Sequence, residues 1–277
     1  MSLQLSDPVS GTTLPLWQAS ELRSERSAAL DVSPITGQES TQAFLTALEQ
    51  DGRATISGTV TAQRLARDTT YGFSSDPVTA LAEWAVRFEA FVNGGQGDGY
   101  DLDRQYRNDT FTGVVETAEW TRAGGAPREL GWNLSFIRGA GAGVDNDLVE
   151  PSVSPGGDIT LDGVTLPNVR EFQVEKSQSF EVYRRAFAET AEDNDLFSDA
   201  GATRRITIVG SNVGDAATRN TFDDNVTASL GQDELVTLRD ALTGRTFEGM
   251  IGSYDATDES GRTRLGDYAV EFVVGTE

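Results

Sequence analysis

The stretch Gly52-Arg-Ala-Thr-Ile-Ser-Gly58 recurs, with changes, as Arg204-Arg-Ile-Thr-Ile-Val-Gly210, 152 residues further along the chain. A second pair of similar stretches, Thr110-Phe-Thr-Gly113 and Thr246-Phe-Glu-Gly249, is separated by 136 residues. The blocks keep their order, and one deletion of 16 residues between them reconciles the two offsets. This pattern predicts an internal duplication, in which one structural unit occurs twice.

The duplication predicts that the 277 residues form two domains, at about 1–150 and 151–277. The boundary falls at Glu150-Pro-Ser-Val-Ser-Pro-Gly-Gly157, where proline, serine and glycine are typical of a linker. A chain of this length commonly forms two domains or one large all-β unit, so the division agrees with the length.

Both predicted copies carry the alternating pattern of β-strands. In Ala54–Ala62, Ile56 and Val60 fall on one face, and threonines and a serine fall on the other. Later in each copy, two further strands are separated by a stretch rich in turn-forming residues, which is typical of a hairpin. We therefore predict a mainly β protein with two tandem copies of an antiparallel β-sandwich or barrel domain, each with a flanking α-helix.

One helix is well marked in the first copy. Asp76 supplies an N-cap, Pro77 fits the first helical position, and Gly94-Gly95 ends the pattern. The residues between them form an apolar stripe at helical spacing, which predicts an amphipathic helix covering one flank of the sandwich. The stripe comprises Val78, Leu81, Trp84, Ala85, Phe88, Phe91 and Val92. The second copy has weaker helical material around 215–230.

The composition excludes several classes of function. The chain has no Cys and no His, so it has no disulfide framework, no thiolate or histidine metal site and no Ser-His-Asp triad. It has 44 acidic and 22 basic residues, a formal net charge of -22. Such an excess of negative charge argues against a protein that binds nucleic acid by neutralising phosphates.

The basic residues are almost all arginine, because Lys176 is the single lysine. An acidic, lysine-poor and cysteine-free composition resembles that of haloarchaeal proteins and of proteins from their viruses. At molar salt the Debye length falls to about 3 Å, so repulsion among the carboxylates is largely screened.

No catalytic, cofactor-binding or metal-binding residue is predicted. The acidic stretch Asp98-Gly-Tyr-Asp-Leu-Asp103 lacks the spacing and the downstream Glu of a calcium-binding loop. Asp145-Asn-Asp147 and Asp193-Asn-Asp195 are similar short clusters, which arise by chance in so acidic a chain. Nothing marks a pair of carboxylates for glycoside hydrolysis. We therefore expect no enzyme activity and no cofactor.

Neither export nor membrane insertion is predicted. The first residues, Met1–Ser6, lack the basic and apolar regions of a secretory signal. No window approaches the roughly 18 apolar residues that a spanning helix requires.

A duplicated β-sandwich with a flanking helix, without marked chemistry and in a halophile composition, resembles the tail tube (major tail) protein of a haloarchaeal tailed virus. The resemblance implies a structural virion protein whose domains contribute strands to a closed barrel. Rings of this barrel stack into a tube through which the genome passes without sequence-specific binding. A duplicated member implies homotrimeric rings with pseudo-sixfold symmetry.

The same resemblance implies contacts with other tail and baseplate proteins, assembly in the host cytoplasm and location in the virion tail. Two alternatives stay open. One is a distal-tail or baseplate protein of the same fold. The other is a two-domain binding module, an adhesin that uses Trp17, Trp84, Trp120 and Trp132 on glycans.

Two sets of residues are expected to serve assembly. Thr55, Ser57, Thr59 and Thr61 form the polar face of a strand and are the expected lining of the channel. The segments 21–45 and 173–197 are too long and polar for simple turns, and we expect them to reach neighbouring chains or the next ring.

The charge predicts that folding requires high salt. Circular dichroism across a salt series should show a lower melting temperature at about 0.1 M than at about 3 M salt, because self-repulsion is screened only at the higher concentration. Equal melting temperatures at both concentrations would contradict the halophile interpretation.

Overall fold

The computed structural model describes most of the chain, with gaps between the described ranges. These ranges are 2–19, 21–24, 29–34, 41–47, 52–92, 99–104, 109–124, 128–142, 148, 150–184, 194–197, 201–213, 216–230, 235–258 and 265–275.

The protein is mainly β, as predicted. Its first part contains β1 (Ser2–Ser6), β2 (Thr13–Trp17), β3 (Glu21–Ser24), β4 (Ala29–Pro34), β5 (Thr41–Ala47), β6 (Arg53–Thr61), α1 (Ala62–Arg67), a 3₁₀ turn (Thr69–Tyr71), α2 (Pro77–Ala90), β7 (Tyr100–Arg104), β8 (Asp109–Ala123), β9 (Glu129–Arg138) and β10 (Ala140–Ala142). The remainder contains β11 (Thr160–Leu161), β12 (Val164–Thr165), β13 (Val169–Ser177), β14 (Glu181–Arg184), β15 (Asn194–Phe197), β16 (Thr203–Val213), α3 (Ala216–Ala228), β17 (Val236–Arg239), β18 (Thr246–Asp258) and β19 (Leu265–Val274). The predicted strand at 54–62 ends one residue early, because Ala62 begins α1.

Fourteen of the described strands join into one antiparallel sheet. Seven strands from the first half follow the order β3–β6–β9–β8–β7–β1–β2, and seven from the second half follow the order β13–β16–β19–β18–β17–β11–β12. Strands that occupy the same place in these two series are also in the same order along the chain. Outside this sheet, β4 and β5 form a hairpin, and β14, β15 and β10 form a small sheet.

The strand registers repeat the offsets seen in the sequence. Arg53 lies opposite Ile137 in the β6–β9 pair, and Arg205 lies opposite Val273 in the β16–β19 pair. Both hairpins contain a bulge at the same place, where Glu116 in β8 and Gly252 in β18 have no residue opposite them. The bulge is therefore a repeated feature of the pairing and not a local defect.

The capping residues place α2 where the sequence predicts it. The Asp76 carboxylate accepts a hydrogen bond from the Thr79 amide at 2.9 Å, and Pro77 occupies the first turn. The helix ends at Ala90, and the predicted stop at Gly94-Gly95 lies outside the described residues. The predicted stripe is buried except for Val78, which is 40% exposed because it lies in the first turn, at the edge of the core.

The core lies between the sheet and α2, and the sheet curls to enclose it. Trp84 stacks on Phe88 with ring centroids 4.8 Å apart, and both rings contact Trp132 of β9. Trp84 Nε1 donates to the Pro15 carbonyl of β2 at 2.9 Å. The β7–β1–β2 arm folds back far enough that the Thr59 hydroxyl of β6 donates to Gln18 Oε1 at 2.6 Å.

Repeated glycines give large rings room on the core face of the sheet. Gly58 lies opposite Trp132, and Gly210 lies opposite Tyr268. A Cβ atom on Gly58 would lie 2.6 Å from Trp132 Cζ2, and one on Gly210 would meet the Tyr268 hydroxyl. The glycines of the two repeated motifs are thus required by the ring that crosses each of them.

The helices of the described residues are short. None is long and apolar enough to cross a membrane.

We predict that Gly58→Ala lowers the free energy of unfolding by about 1–3 kcal/mol, because the added methyl group overpacks a rigid indole. Gly131→Ala is the matched control, since its Cβ would meet nothing closer than 3.9 Å. Urea unfolding in high salt measures both values. A loss in Gly131→Ala equal to that in Gly58→Ala would contradict the packing argument.

Candidate functional site

The sheet face opposite the core is mostly polar. Antiparallel neighbours that lie directly opposite each other share a face, so the registers identify its members. We call this surface the polar face. It comprises Thr55, Ser57, Thr117, Glu119, Thr121, Asn133, Ser135, Glu171, Gln173, Glu175, Ser177, Thr203, Arg205, Thr207, Ser253, Asp255, Thr257, Asp267 and Glu271.

The polar face crosses from one half of the chain to the other through a single strand pair. β7 pairs only with the first part of β8, from Asp109 to Gly113. The same edge of β8 continues from Thr117 to Ala123, and there β13 pairs with it. We call the β8–β13 pair the seam. It satisfies backbone groups that would otherwise form an exposed strand edge.

Carboxylates meet at the seam. Glu119 of β8 lies directly opposite Glu175 of β13, and Glu171 is nearby on the same strand. Partial burial raises the pKa of the Glu119 carboxyl, and the charge of Glu175 raises that pKa further. Hydrogen bonds from Gln173 and Asn133 oppose this increase in the pKa. The seam therefore concentrates negative charge on the polar face.

Ion pairs bind the other strands of the polar face to one another. Arg53 contacts Glu116 at 2.7 Å, and Glu116 also accepts a hydrogen bond from the Ser135 hydroxyl at 2.8 Å. Arg205 contacts Glu271 at 2.8 Å. These pairs are partly exposed, so each contributes little stability at high salt. These ion pairs neutralise part of the negative charge of the polar face, whereas the carboxylates of the seam keep an excess of negative charge there.

A buried charge cluster fastens the two sides of the seam from the core side. The Glu89 carboxylate on α2 is 2% exposed and accepts a hydrogen bond from Trp120 Nε1 of β8 at 2.8 Å. Arg204 of β16 lies 2.9 Å from the same carboxylate, and Arg245 lies 3.2 Å from it. Glu89 belongs to the first half of the chain and both arginines to the second. Their attraction therefore holds the halves together.

Sequence reasoning did not find this cluster. Leu81, Ala85 and Glu89 follow at i, i+4 and i+8, so a charged side chain falls on the buried stripe of α2. A charged residue on the apolar stripe of a helix indicates a buried charge that requires a partner, and this pattern is visible in the sequence. The single lysine, Lys176, is also buried, on β13 beside Arg204.

Two acids of the first acidic stretch have ordinary structural roles, and Asp98 of that stretch lies outside the described residues. Asp101 and Asp103 lie in β7, and their carboxylates accept hydrogen bonds from the hydroxyls of Thr112 and Thr110. Asp145-Asn-Asp147 lies outside the described residues, and Asp193-Asn-Asp195 lies partly outside them. Within the described ranges, no group of three or more acidic side chains is arranged to hold a metal ion.

The four tryptophans are core residues. Trp17, Trp84, Trp120 and Trp132 are each at most 4% exposed. Trp84 and Trp120 also use their ring N–H groups on buried partners. None of the four presents a ring face to solvent, so a glycan could not stack on them.

By alternation, all four residues of the predicted channel lining fall on the side of β6 that forms the polar face. Thr55 and Ser57 lie beside Ser135 and Asn133 of β9, and Thr59 and Thr61 lie opposite Gly131 and Glu129. The Thr59 hydroxyl also donates to Gln18, where the folded-back arm reaches the end of β6.

Comparison of the sequence with protein-family models and with curated proteins gives no match.

We predict that Glu89→Gln lowers the free energy of unfolding by about 3–5 kcal/mol, because the buried Arg204 and the partly buried Arg245 lose their counter-charge. Glu248→Gln on the exposed side of β18 is the control and should change the free energy by no more than about 0.5 kcal/mol. Urea unfolding in high salt compares them. Equal effects of the two substitutions would show that the cluster does not hold the halves together.

Proposed function

We propose that this chain is a structural virion protein that forms the tail tube of a haloarchaeal tailed virus. The chain contains two tandem β domains, at about 1–150 and 151–277, each with a flanking helix. Three chains close into a ring of pseudo-sixfold symmetry, and the rings stack into a tube for the genome.

The repeated strand order is the observation that carries this proposal. Each half of the chain contributes seven strands in the same order, and the β8–β9 and β18–β19 pairs share their register and a bulge at the same place. The first half meets the second by adding β13 to the edge of β8. Two similar units joined by strand addition form a heterologous contact, and repeated contacts of this kind generate rings or filaments.

The polar face supports a role as the channel lining. It extends across the seam, and it carries hydroxyl, amide and carboxylate groups together with arginines that are paired with acids. Glu119, Glu171 and Glu175 would repel a phosphate backbone, and such repulsion lets DNA pass without gripping it. The opposite face of the same strands is buried in the core, as a barrel wall requires.

The role of this protein is to assemble with copies of itself and not to catalyse a reaction. The protein has no enzymatic role or cofactor and no membrane partner. Its partners are copies of itself and other tail and baseplate proteins, and it is located in the virion tail after assembly in the host cytoplasm. A distal-tail or baseplate protein of the same fold would form the ring without extended stacking. The adhesin alternative lacks exposed tryptophans.

Electron microscopy and analytical ultracentrifugation of the purified protein in about 3 M salt test this function. We predict trimeric rings or tubes, because repeated strand addition satisfies the exposed edges only when copies join. Single rings that never stack would favour the distal-tail or baseplate role. A monomer at every concentration would exclude both tail roles.

A further inference from the structure

We propose that one chain binds the next head to tail through a second copy of the seam. The outer edge of β18, at Ala256–Asp258, pairs with Leu22–Ser24 in β3 of the next chain. The next chain's β4–β5 hairpin then covers an apolar pair beside that edge. This inference rests on the proposed function and identifies the contact that would form the ring.

The first observation is that part of the edge of β18 has no partner strand among the described residues. β18 occupies the place in the second half that β8 occupies in the first. Its partner β17 pairs only with Thr246–Gly249, just as β7 pairs only with the first part of β8. Beyond Gly249, no described strand pairs with that side of β18. Ser253 and residues 255–257 are exposed there.

The second observation is a strand that matches the occupant of the seam. β3 pairs with β6 as β13 pairs with β16, and no other described strand pairs with β3. In register, Leu22 lies opposite Ile56 and Phe172 lies opposite Ile208. This alignment sets Glu21-Leu-Arg-Ser-Glu-Arg-Ser27 against Glu171-Phe-Gln-Val-Glu-Lys-Ser177, with both glutamates and the last serine shared.

The third observation concerns a pair of apolar residues that is buried in the first half of the chain, while the corresponding pair in the second half is exposed. At the end of the polar face, Val114 and Ile137 lie opposite each other and are covered by Phe180 and Leu196, beside and within the β14–β15 hairpin. Their counterparts 136 residues later, Met250 and Val273, also lie opposite each other. They are 48% and 37% exposed.

The chain order identifies what would cover that pair. The β14–β15 hairpin lies between β13 and β16, and the β4–β5 hairpin lies between β3 and β6. A second copy that adds β3 to the edge of β18 therefore brings its β4–β5 hairpin to Met250 and Val273. The same neighbouring chain would then pair with the strand edge and cover the apolar pair. Both features would be buried in the way that β13 and the β14–β15 hairpin bury their counterparts within one chain.

The seam also sets the register of this contact. Within the chain, Glu171 lies opposite Ala123, and Val174 lies opposite Trp120. Applying the offsets between β13 and β3 and between β8 and β18 places Ser24 opposite Ala256, and Arg23 opposite Thr257. In an antiparallel pair, a slip of one residue moves every side chain of a strand to the opposite face.

Cysteine cross-linking tests the register directly, because the chain has no cysteine of its own. The double variant Ser24→Cys, Ala256→Cys places two thiols directly opposite each other, within disulfide distance. The double variant Ser24→Cys, Thr257→Cys is the out-of-register control. Thr117→Cys, Ser177→Cys spans the seam within one chain and reports that oxidation is complete.

After mild oxidation in about 3 M salt, non-reducing gels should show that most of the in-register variant is linked between chains. The ladder should end at three chains if the ring is closed. The control variant should form at least tenfold less cross-linked product. Rings in the microscope without this cross-link would overturn the proposed contact and leave the ring function intact. Neither rings nor cross-links would overturn both.

A second pair of variants tests the apolar pair without altering the strand edge. Met250→Asp places a charge where the hairpin would pack, and it should raise the concentration required for association by at least tenfold. Val9→Asp is the control, because Val9 is 58% exposed on a distant turn. Circular dichroism should show both variants folded. Normal association of Met250→Asp would overturn the role of the hairpin.

Discussion

A strand edge must find a partner, and this constraint organises the whole sheet. β8 has fifteen residues, whereas β7 covers only the first part of its edge. From Thr117 to Ala123, the same edge pairs with β13, which belongs to the other half of the chain. Because this pairing is antiparallel and in register, it makes one continuous sheet from two similar sets of seven strands.

The core side of the seam depends on charges that must be buried together. Glu89 is inaccessible to water, so it is tolerable only because Trp120, Arg204 and Arg245 satisfy its oxygens. These partners come from separate strands and turns, and their geometry fixes α2 against both halves of the chain. The glycine–ring pairs are similarly exacting, because a ring crosses the backbone at Gly58 and at Gly210.

The two faces of the sheet have different environments. On the core face, aromatic and aliphatic side chains exclude water. On the polar face, hydroxyl groups, ion pairs and the acids of the seam are partly or fully exposed. If the protein works in concentrated salt, screening reduces the repulsion between Glu119 and Glu175 at the distance that separates neighbouring strands. The backbone hydrogen bonds of the β8–β13 pair are short-range and are far less affected by salt.

The sequence by itself determined the local features whose causes are local. Alternation identified β6, the Asp76-Pro77 cap identified the start of α2, and the two offsets anticipated the repeated register. The absence of Cys and His excluded whole classes of chemistry. Only the tertiary structure decided that β13 pairs with β8 and that Glu89 is buried. It also decided that Met250 is exposed, although its counterpart Val114 is buried. Strand pairing joins residues far apart in the chain, and whether a side chain is buried depends on what packs over it. Periodicity along one segment contains neither kind of information.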